Sequence, residues 1–348
     1  MPTADINEIL RQQDATYRAV VEAFSDGHPE LGMERALKAG FVVDLEGATE
    51  LVKVDGHPEA AAAAVRKLAA DRTADEAVEA AARGKSFIAV VPTHVLGNDI
   101  SSAIRARHQA AGTVKEDAVT LKLFWPTAKL HADNAEYCFT LEPDEFAVFH
   151  KDVPDLGLRA GDRLDTIEDA QGRREFRLGE RVIDGPVPSD AFEVYREQER
   201  SIGIGDRLRA VERIPLQGQE KAEIARGTLL EVAKITRHGT RVEFTNGQFV
   251  SAQEVRSLTY GYAMTQPASQ GLSADEVVFV ATSDTFGAIT KESANVAVSR
   301  GREKLTIITD DLEGLMEQLK HSRKEPFAEE IIGDVNEENS VGDKGRQN

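Results

Sequence analysis

Two short stretches hold residue types suited to phosphate chemistry. The first is "GYAMTQPASQG", residues 261–271. Its apolar run Tyr262-Ala263-Met264 is closed by Thr265, broken at Pro267 and ended by Ser269-Gln270-Gly271. A strand that ends in a small-polar-glycine turn is where α/β proteins hold phosphates or nucleic acid. The second is "NVAVSRGREKL", residues 295–305. Arg300 and Arg302 leave an apolar run just before a glycine and a strand. An arginine held at a sheet edge can meet a phosphate with a planar fork of donors. The same pair also suits a solvated face.

Other stretches imitate chemistry without its context. Gly84-Lys85-Ser86 ends like a phosphate-binding loop, but that loop needs a glycine five residues earlier, where this chain has Glu79. It must also follow a strand, and here the triplet precedes one. "IITDD", residues 307–311, imitates a strand with a Mg²⁺-holding acid, yet Asp310 or Asp311 is more simply a helix N-cap. Cys138 is the single cysteine, which excludes an internal disulfide and any multi-cysteine zinc site; in "AEYCFTL" it reads as a buried structural thiol. No convergent acid/base cluster emerges, which leaves an unrelated small-molecule α/β enzyme without support. No metal site is expected.

The positioning framework follows from length and pattern. With 348 residues the chain can hold two or three domains. No apolar run approaches the ~20 residues that span a bilayer, and the N-terminus has no signal segment, so a cytoplasmic protein with no membrane partner is expected. The net charge of −18 argues against a broad nucleic-acid face, though not against a narrow basic groove.

Helical spacing runs over residues 5–23, at Ile6, Ile9, Leu10, Val20, Val21 and Phe24. "ATELVKV" is a short strand or turn-flanked run. Residues 57–83 predict one or two helices. "KSFIAVVPT" predicts a buried parallel strand at 87–91, and "HVLGNDISSAIRARHQAAG" a helix stopped by Gly112. From about 118 to 258 short alternating runs are separated by Gly, Asp and Asn, the pattern of small antiparallel barrels. A compact barrel over 198–256, outside the parallel sheet, is expected, with a hairpin turn at Asn246-Gly247. Parallel-sheet character returns as strands at 260–265, 276–282 and 305–309 and helices near 291–300 and 311–322.

"INEILRQQDATYRAVVEAF", "FIAVVPTHVLGNDISSAIR", "GYAMTQPASQGLSADEVVFV" and "AVSRGREKLTIITDDLEGL" occur in the order of the C-terminal half of superfamily 1 helicases. The closest resemblance is to the helicase part of conjugative relaxase-helicases of the TraI/TrwC type. It covers residues ~5–325, and the last two motifs in tandem are its most specific part. The resemblance implies an α/β fold: a RecA-like parallel sheet, the second of the motor's two, with an inserted SH3-like small β-barrel. It divides the chain into a first RecA-like part at 1–117, a β-rich insertion at 118–258, a second RecA-like part at 259–325 and an acidic, disordered tail at 326–348. The family's P-loop, its Mg²⁺ acid and its relaxase domain precede the "RQ" segment. The chain therefore reads as a fragment of a longer protein or the remnant of a decayed gene. ATP and Mg²⁺ are expected only in the complete protein, none being bound by this chain alone.

The resemblance also assigns roles. Arg11 and Arg300 would reach the γ-phosphate from two sides. Gln12, Gln270, Gly271 and Arg302 would bind nucleotide or couple its state to DNA. Thr93, His94, Thr265 and Ser269 would face a single DNA strand, with His94 equally readable as a plain surface histidine. Pro267 stands where the family carries His, which removes a side-chain donor and fixes φ. The alternative function is a catalytically inactive scaffold or weak DNA-binding module.

Overall fold

The computed structural model describes residues 12–45, 58–116, 119–127, 144–168, 174–183, 188, 191–216, 222–236 and 241–321. Arg11, Cys138, the "ATELVKV" run, the apolar positions at 6–10 and residues 322–348, with the acidic tail at 326–348, lie outside them.

The first layer begins with α1, Ala15–Ser25, capped by the Asp14 carboxylate, which accepts from the Tyr17 N–H. Its buried stripe is Tyr17, Val20, Val21 and Phe24, at the spacing read from the sequence. Two elements were not anticipated: α2, Pro29–Lys38, and β1, Val42–Asp44. The stretch 58–82 is one helix, α3, Pro58–Ala82. The apolar part of its buried face is Ala69, Ala70, Ala74, Ala77 and Ala80, small enough for the helix to lie close on the sheet. Strand β2, Phe87–Val91, is wholly buried, and α4, His94–Ala110, follows it. Gly112, at φ +73°, takes up the left-handed turn after the helix.

The second part of the parallel layer comprises β16, Ala263–Thr265, β17, Ala274–Ala281, α6, Lys291–Val298, β18, Gly301–Thr309, and α7, Leu312–Gln318. The sheet order is β1-β18-β17-β2-β16, with every pairing parallel. Alternation divides the core as strand geometry requires. Ile88, Val90, Val277, Phe279 and Ile307 pack toward α1, α2, α6 and α7. Phe87, Ala89, Val91, Val278 and Val280 pack toward α3 and α4. A parallel sheet covered on both faces explains the uninterrupted apolar runs.

The β-rich region forms two antiparallel sheets. One has six strands in the order β3-β8-β4-β5-β6-β7: Val119–Pro126, Phe192–Ile202, Glu145–Phe149, Arg163–Glu168, Arg174–Leu178 and Arg181–Ile183. The other has five, in the order β14-β13-β12-β9-β15: Phe249–Ser251, Arg241–Phe244, Leu229–Ile235, Arg207–Ala210 and Leu258–Tyr260. A small pair, β10, Ile214–Pro215, with β11, Glu223–Ile224, stands between them in the chain. The hairpin at Asn246-Gly247 is present, with Gly247 at φ +83° joining β13 to β14. The five-stranded sheet lies outside the parallel one, and no pairing between its edge strands β14 and β15 is present among the described residues.

The run 260–265, expected as one strand, is two. Residues up to Tyr260 belong to the antiparallel sheet and residues from Ala263 to the parallel sheet. The chain changes sheets at Gly261, where a Cβ would lie 2.8 Å from Leu229 Cδ2 and 3.1 Å from the Leu208 carbonyl carbon. Only a residue without a side chain makes that crossing.

Candidate functional site

Strands β2 and β16 are neighbours, in register Thr265 to Val91, so their carboxyl ends open side by side at one edge of the sheet. That edge is the usual ligand crevice of open α/β sheets. Thr93 is the N-cap of α4; its hydroxyl accepts from the Leu96 N–H at 3.4 Å. The 17-residue helix behind it presents a positive end to the crevice. His94, the first helical residue, keeps Nε2 3.7 Å from a carboxylate oxygen of Glu193.

Glu193 lies on β8 and is buried. Its Oε1 accepts from the Thr265 hydroxyl at 2.5 Å and its Oε2 from the Tyr195 phenol at 2.7 Å. Arg226 Nη2 stands 3.6 Å from Oε2. Arg209, 3% exposed, donates from Nη2 to the Tyr195 oxygen at 3.4 Å. Burial alone would raise the Glu193 carboxyl, but His94, Arg209, Arg226 and the Thr265 hydroxyl together hold it well below the ordinary carboxylate range. Glu193 is thus a permanent anion facing two arginines. Among the described residues, Nε and Nη1 of Arg209 and Nε and Nη2 of Arg226 have no hydrogen-bond partner. A cavity of about 20 Å³ is lined by His94, Asn98, Trp125, Arg209, Tyr260 and Thr265, room for about one water.

Of the residues expected at a DNA strand, Thr93, His94 and Thr265 come together here, beside Glu193, Arg209 and Arg226, which the sequence did not single out. The one available signal was a glutamate inside the apolar run "AFEVY", where alternation leaves no polar face. Thr265 and Ser269, expected to face a DNA strand, are both buried. The Thr265 hydroxyl is held by Glu193, and the Ser269 hydroxyl donates to the Gln266 carbonyl at 2.8 Å. Pro267 sits in the first turn of α5, Gln266–Ser269, where the missing N–H costs nothing.

The second cluster surrounds Arg300, between α6 and β18. Its guanidinium donates to the Val296 carbonyl at 2.8 Å, the Ser299 hydroxyl at 3.1 Å and the Leu272 carbonyl at 3.4 Å. Gln12 is fully buried; Nε2 donates to the carbonyls of Gly301 at 2.8 Å and Ser299 at 3.3 Å. The Tyr17 hydroxyl donates to the Val298 carbonyl at 2.5 Å. A Cβ at Gly301 would lie 2.5 Å from that hydroxyl and 2.8 Å from Val277 Cγ1, so the glycine permits the clamp. Gln12 therefore acts on the turn that carries Arg300, and its burial keeps it from touching a ligand itself. Arg302 pairs with Asp275 at 3.1 Å, on the other side of the turn. Gln270 is exposed, and Gly271 at φ +81° makes the turn into β17.

The two clusters lie at opposite ends of the parallel sheet. Ala274 pairs with Gly301 at the amino end, while Thr265 pairs with Val91 at the carboxyl end. About six residues of strand separate them, some 20 Å at about 3.3 Å per residue. The segment 266–273 runs between the two ends, and two hydrogen bonds tie its far end to Arg300, one to the Leu272 carbonyl and one from the Ala274 N–H.

The imitations resolve as structural residues. Lys85 pairs with Glu303, Ser86 donates to Asp275, Asp311 caps α7, and Asp310 accepts from Ser283. No group of three metal-ligating side chains and no helix long and apolar enough to cross a membrane occurs among the described residues.

Between the clusters a buried network joins the sheets. Asp206, just before β9, accepts from Arg105 of α4 at 2.9 Å and from the Tyr262 phenol at 2.8 Å. Burial pushes the phenols of Tyr195 and Tyr262 up, with a neighbouring carboxylate adding to it. Their folded values exceed their unfolded ones, so the stability they contribute is fully present below the unfolded tyrosine value of about 10 and is lost as pH rises above it. We expect urea midpoints to fall between about pH 9 and about pH 11, either side of that value, and to fall less for Tyr262→Phe. Equal falls in both proteins would contradict the assignment.

No family model matches this sequence, and no curated protein matches it. Among solved structures, the chain is similar to Pif1 helicases. One, of two coordinating Pif1 helicases in DNA unwinding at forked double-stranded DNA, gives 12% identity and a TM-score of 0.39 over 98% of this chain and 56% of that one. A Bacteroides Pif1 in complex with ADP-AlF3 and single-stranded DNA gives 13%, 0.29, 98% and 58%. Pif1 from Candida albicans gives 13%, 0.30, 95% and 59%. The chain spans less than two thirds of each. Scores this low carry no functional inference.

Proposed function

We propose that this chain is the C-terminal motor half of an ATP-dependent DNA helicase of conjugative relaxase type. Residues 1–117 and 259–325 would form its second RecA-like domain around the insertion at 118–258, with a tail beyond. A preceding relaxase and first RecA-like domain would complete the protein. That domain would supply the phosphate cradle and Mg²⁺ for ATP; Arg11 and Arg300 would supply charge from this half, aided by Arg302. The residues here fit one edge of a triphosphate, because they offer arginines and no cradle. A single DNA strand would cross the Thr93, His94 and Thr265 edge.

The observation that carries this reading is the link between the clusters. The segment 266–273 starts at the Thr265 edge and ends hydrogen-bonded to Arg300. A shift of Arg300 toward a phosphate therefore pulls on the segment that ends at the DNA edge, with Gln270 and Gly271 in its middle. One observation favours the alternative, an inactive scaffold or weak DNA-binding module: the Arg300 guanidinium is engaged by Val296, Ser299 and Leu272 and must release them to reach a nucleotide.

Fluorescence anisotropy with a labelled single-stranded oligonucleotide over a salt series tests the DNA part. Half a groove makes few phosphate contacts, so we expect a Kd in the range of about 10⁻⁴–10⁻⁶ M at physiological salt, weakening steeply as salt rises. Nanomolar, salt-insensitive binding, or none at all, contradicts it.

A further inference from the structure

We propose that Arg209 and Arg226 form a pocket for one phosphate group, in which Glu193 is a fixed internal counter-ion that sets the affinity. The choice of phosphate over other anions rests on the nucleic-acid reading above; the pocket does not.

Charge balance comes first. Two guanidiniums face one carboxylate, and among the described residues Glu193 is the one carboxylate acting on both. The pocket is left with an excess of one positive charge, before any contribution from His94. Buried charge is normally balanced. Hydrogen bonding gives the same answer independently. Arg209 is 3% exposed and lines the cavity, yet its Nε and Nη1 have no acceptor among the described residues. Leaving such donors unmade costs more than an ordinary hydrogen bond contributes. A monoanionic phosphodiester corrects both deficits.

Geometry sets how it would sit. The cavity of about 20 Å³ takes one oxygen and not a whole phosphate. One non-bridging oxygen would enter to Arg209. The rest would stay outside it, near His94, which lines the cavity and keeps 17% side-chain exposure, and near the N-terminus of α4. Arg226, 14% exposed and 3.6 Å from Glu193, would add its charge from the other oxygen of that carboxylate. The planar fork of each arginine suits such an oxygen pair. Glu193 stays in place, held by Thr265 and Tyr195. Because it opposes any incoming anion, its charge weakens binding.

The sequence has one tryptophan, Trp125, and it lines this cavity. Its fluorescence reports occupancy. Wild type and the Glu193→Gln, Arg226→Gln and Arg226→Lys variants are titrated with inorganic phosphate at constant ionic strength, and separately with an oligothymidylate over a salt series. For the oligonucleotide we expect Arg226→Gln to weaken binding about tenfold and to lower the salt slope by about one unit, as loss of one phosphate contact does. Arg226→Lys should recover part of the affinity, and Glu193→Gln should tighten it. A purely structural role for Glu193 would not tighten binding. Arg226 is more exposed than Glu193, so its variants decide the matter if Glu193→Gln fails to fold. Salt-dependent DNA binding untouched by both Arg226 variants overturns the pocket and leaves the DNA reading intact. A phosphate response abolished by Arg226→Gln, without DNA binding, supports the pocket and sinks the DNA reading.

Discussion

Asp206→Ala is expected to lower the unfolding free energy by about 3–5 kcal/mol, the range for breaking a buried ion pair from one side. Asp206 has no exposed surface. Its carboxylate takes Nε of Arg105 at 2.9 Å and Nη2 at 2.9 Å, the Tyr262 phenol at 2.8 Å and the Gly203 N–H at 2.7 Å. Alanine leaves a nearly buried guanidinium, a phenol and an amide without their acceptor. The three donors come from α4, from the crossing between β15 and β16, and from the turn before β9. They hold the five-stranded sheet against the parallel one, so the loss should also loosen the edge at Thr265. Asp206→Asn keeps the shape and some acceptor capacity and should cost less than alanine. Urea denaturation monitored by circular dichroism gives both values; a cost below about 1 kcal/mol for alanine, the net worth of one ordinary hydrogen bond, contradicts this account.

Arg300→Ala in the complete motor is expected to lower ATP turnover by about 10³–10⁵-fold, the effect of removing an arginine that neutralises charge in phosphoryl transfer. The clamp explains why this arginine is the candidate. Gln12, Tyr17 and the space left by Gly301 fix the turn from Val298 to Gly301. The turn fixes the backbone that carries the charge, while the guanidinium exchanges its bonds to Val296, Ser299 and Leu272 for the nucleotide. Arg302, paired with Asp275, should matter less. Arg300→Lys should restore little, because an ammonium lacks the planar fork. Steady-state ATPase assays with single-stranded DNA measure this; a loss under about tenfold would assign Arg300 a structural role, far below that of a transition-state arginine.

The elements legible in the sequence are those whose signal is local. Strand β2 and helix α4 followed from five apolar residues, a proline and Gly112. The turn at Asn246-Gly247 followed from its chemistry, as did the Asp311 cap. What stayed hidden depends on distant contacts. Tyr260 and Ala263 read as one strand, because an apolar run does not reveal which sheet each half joins; the clash at Gly261 does. Glu193 shows in the sequence only as a glutamate in an apolar run; its role emerges when Arg209, Arg226 and Thr265 meet it from three other segments. The helicase resemblance is what assigns Thr265 and Ser269 to a DNA strand. The fold buries both and leaves Thr93 and His94 half-buried at that edge.

In the proposed function, this chain completes a nucleotide site whose phosphate cradle lies in another domain. The direct measurement is ATP turnover, with single-stranded DNA present, by this chain alone and by the same chain joined to a P-loop-bearing first RecA-like domain of the helicase type. The account predicts no turnover by the chain alone, and DNA-stimulated turnover by the joined protein that Arg300→Ala removes. Turnover by the chain alone, or turnover in the joined protein that is indifferent to Arg300, would contradict it.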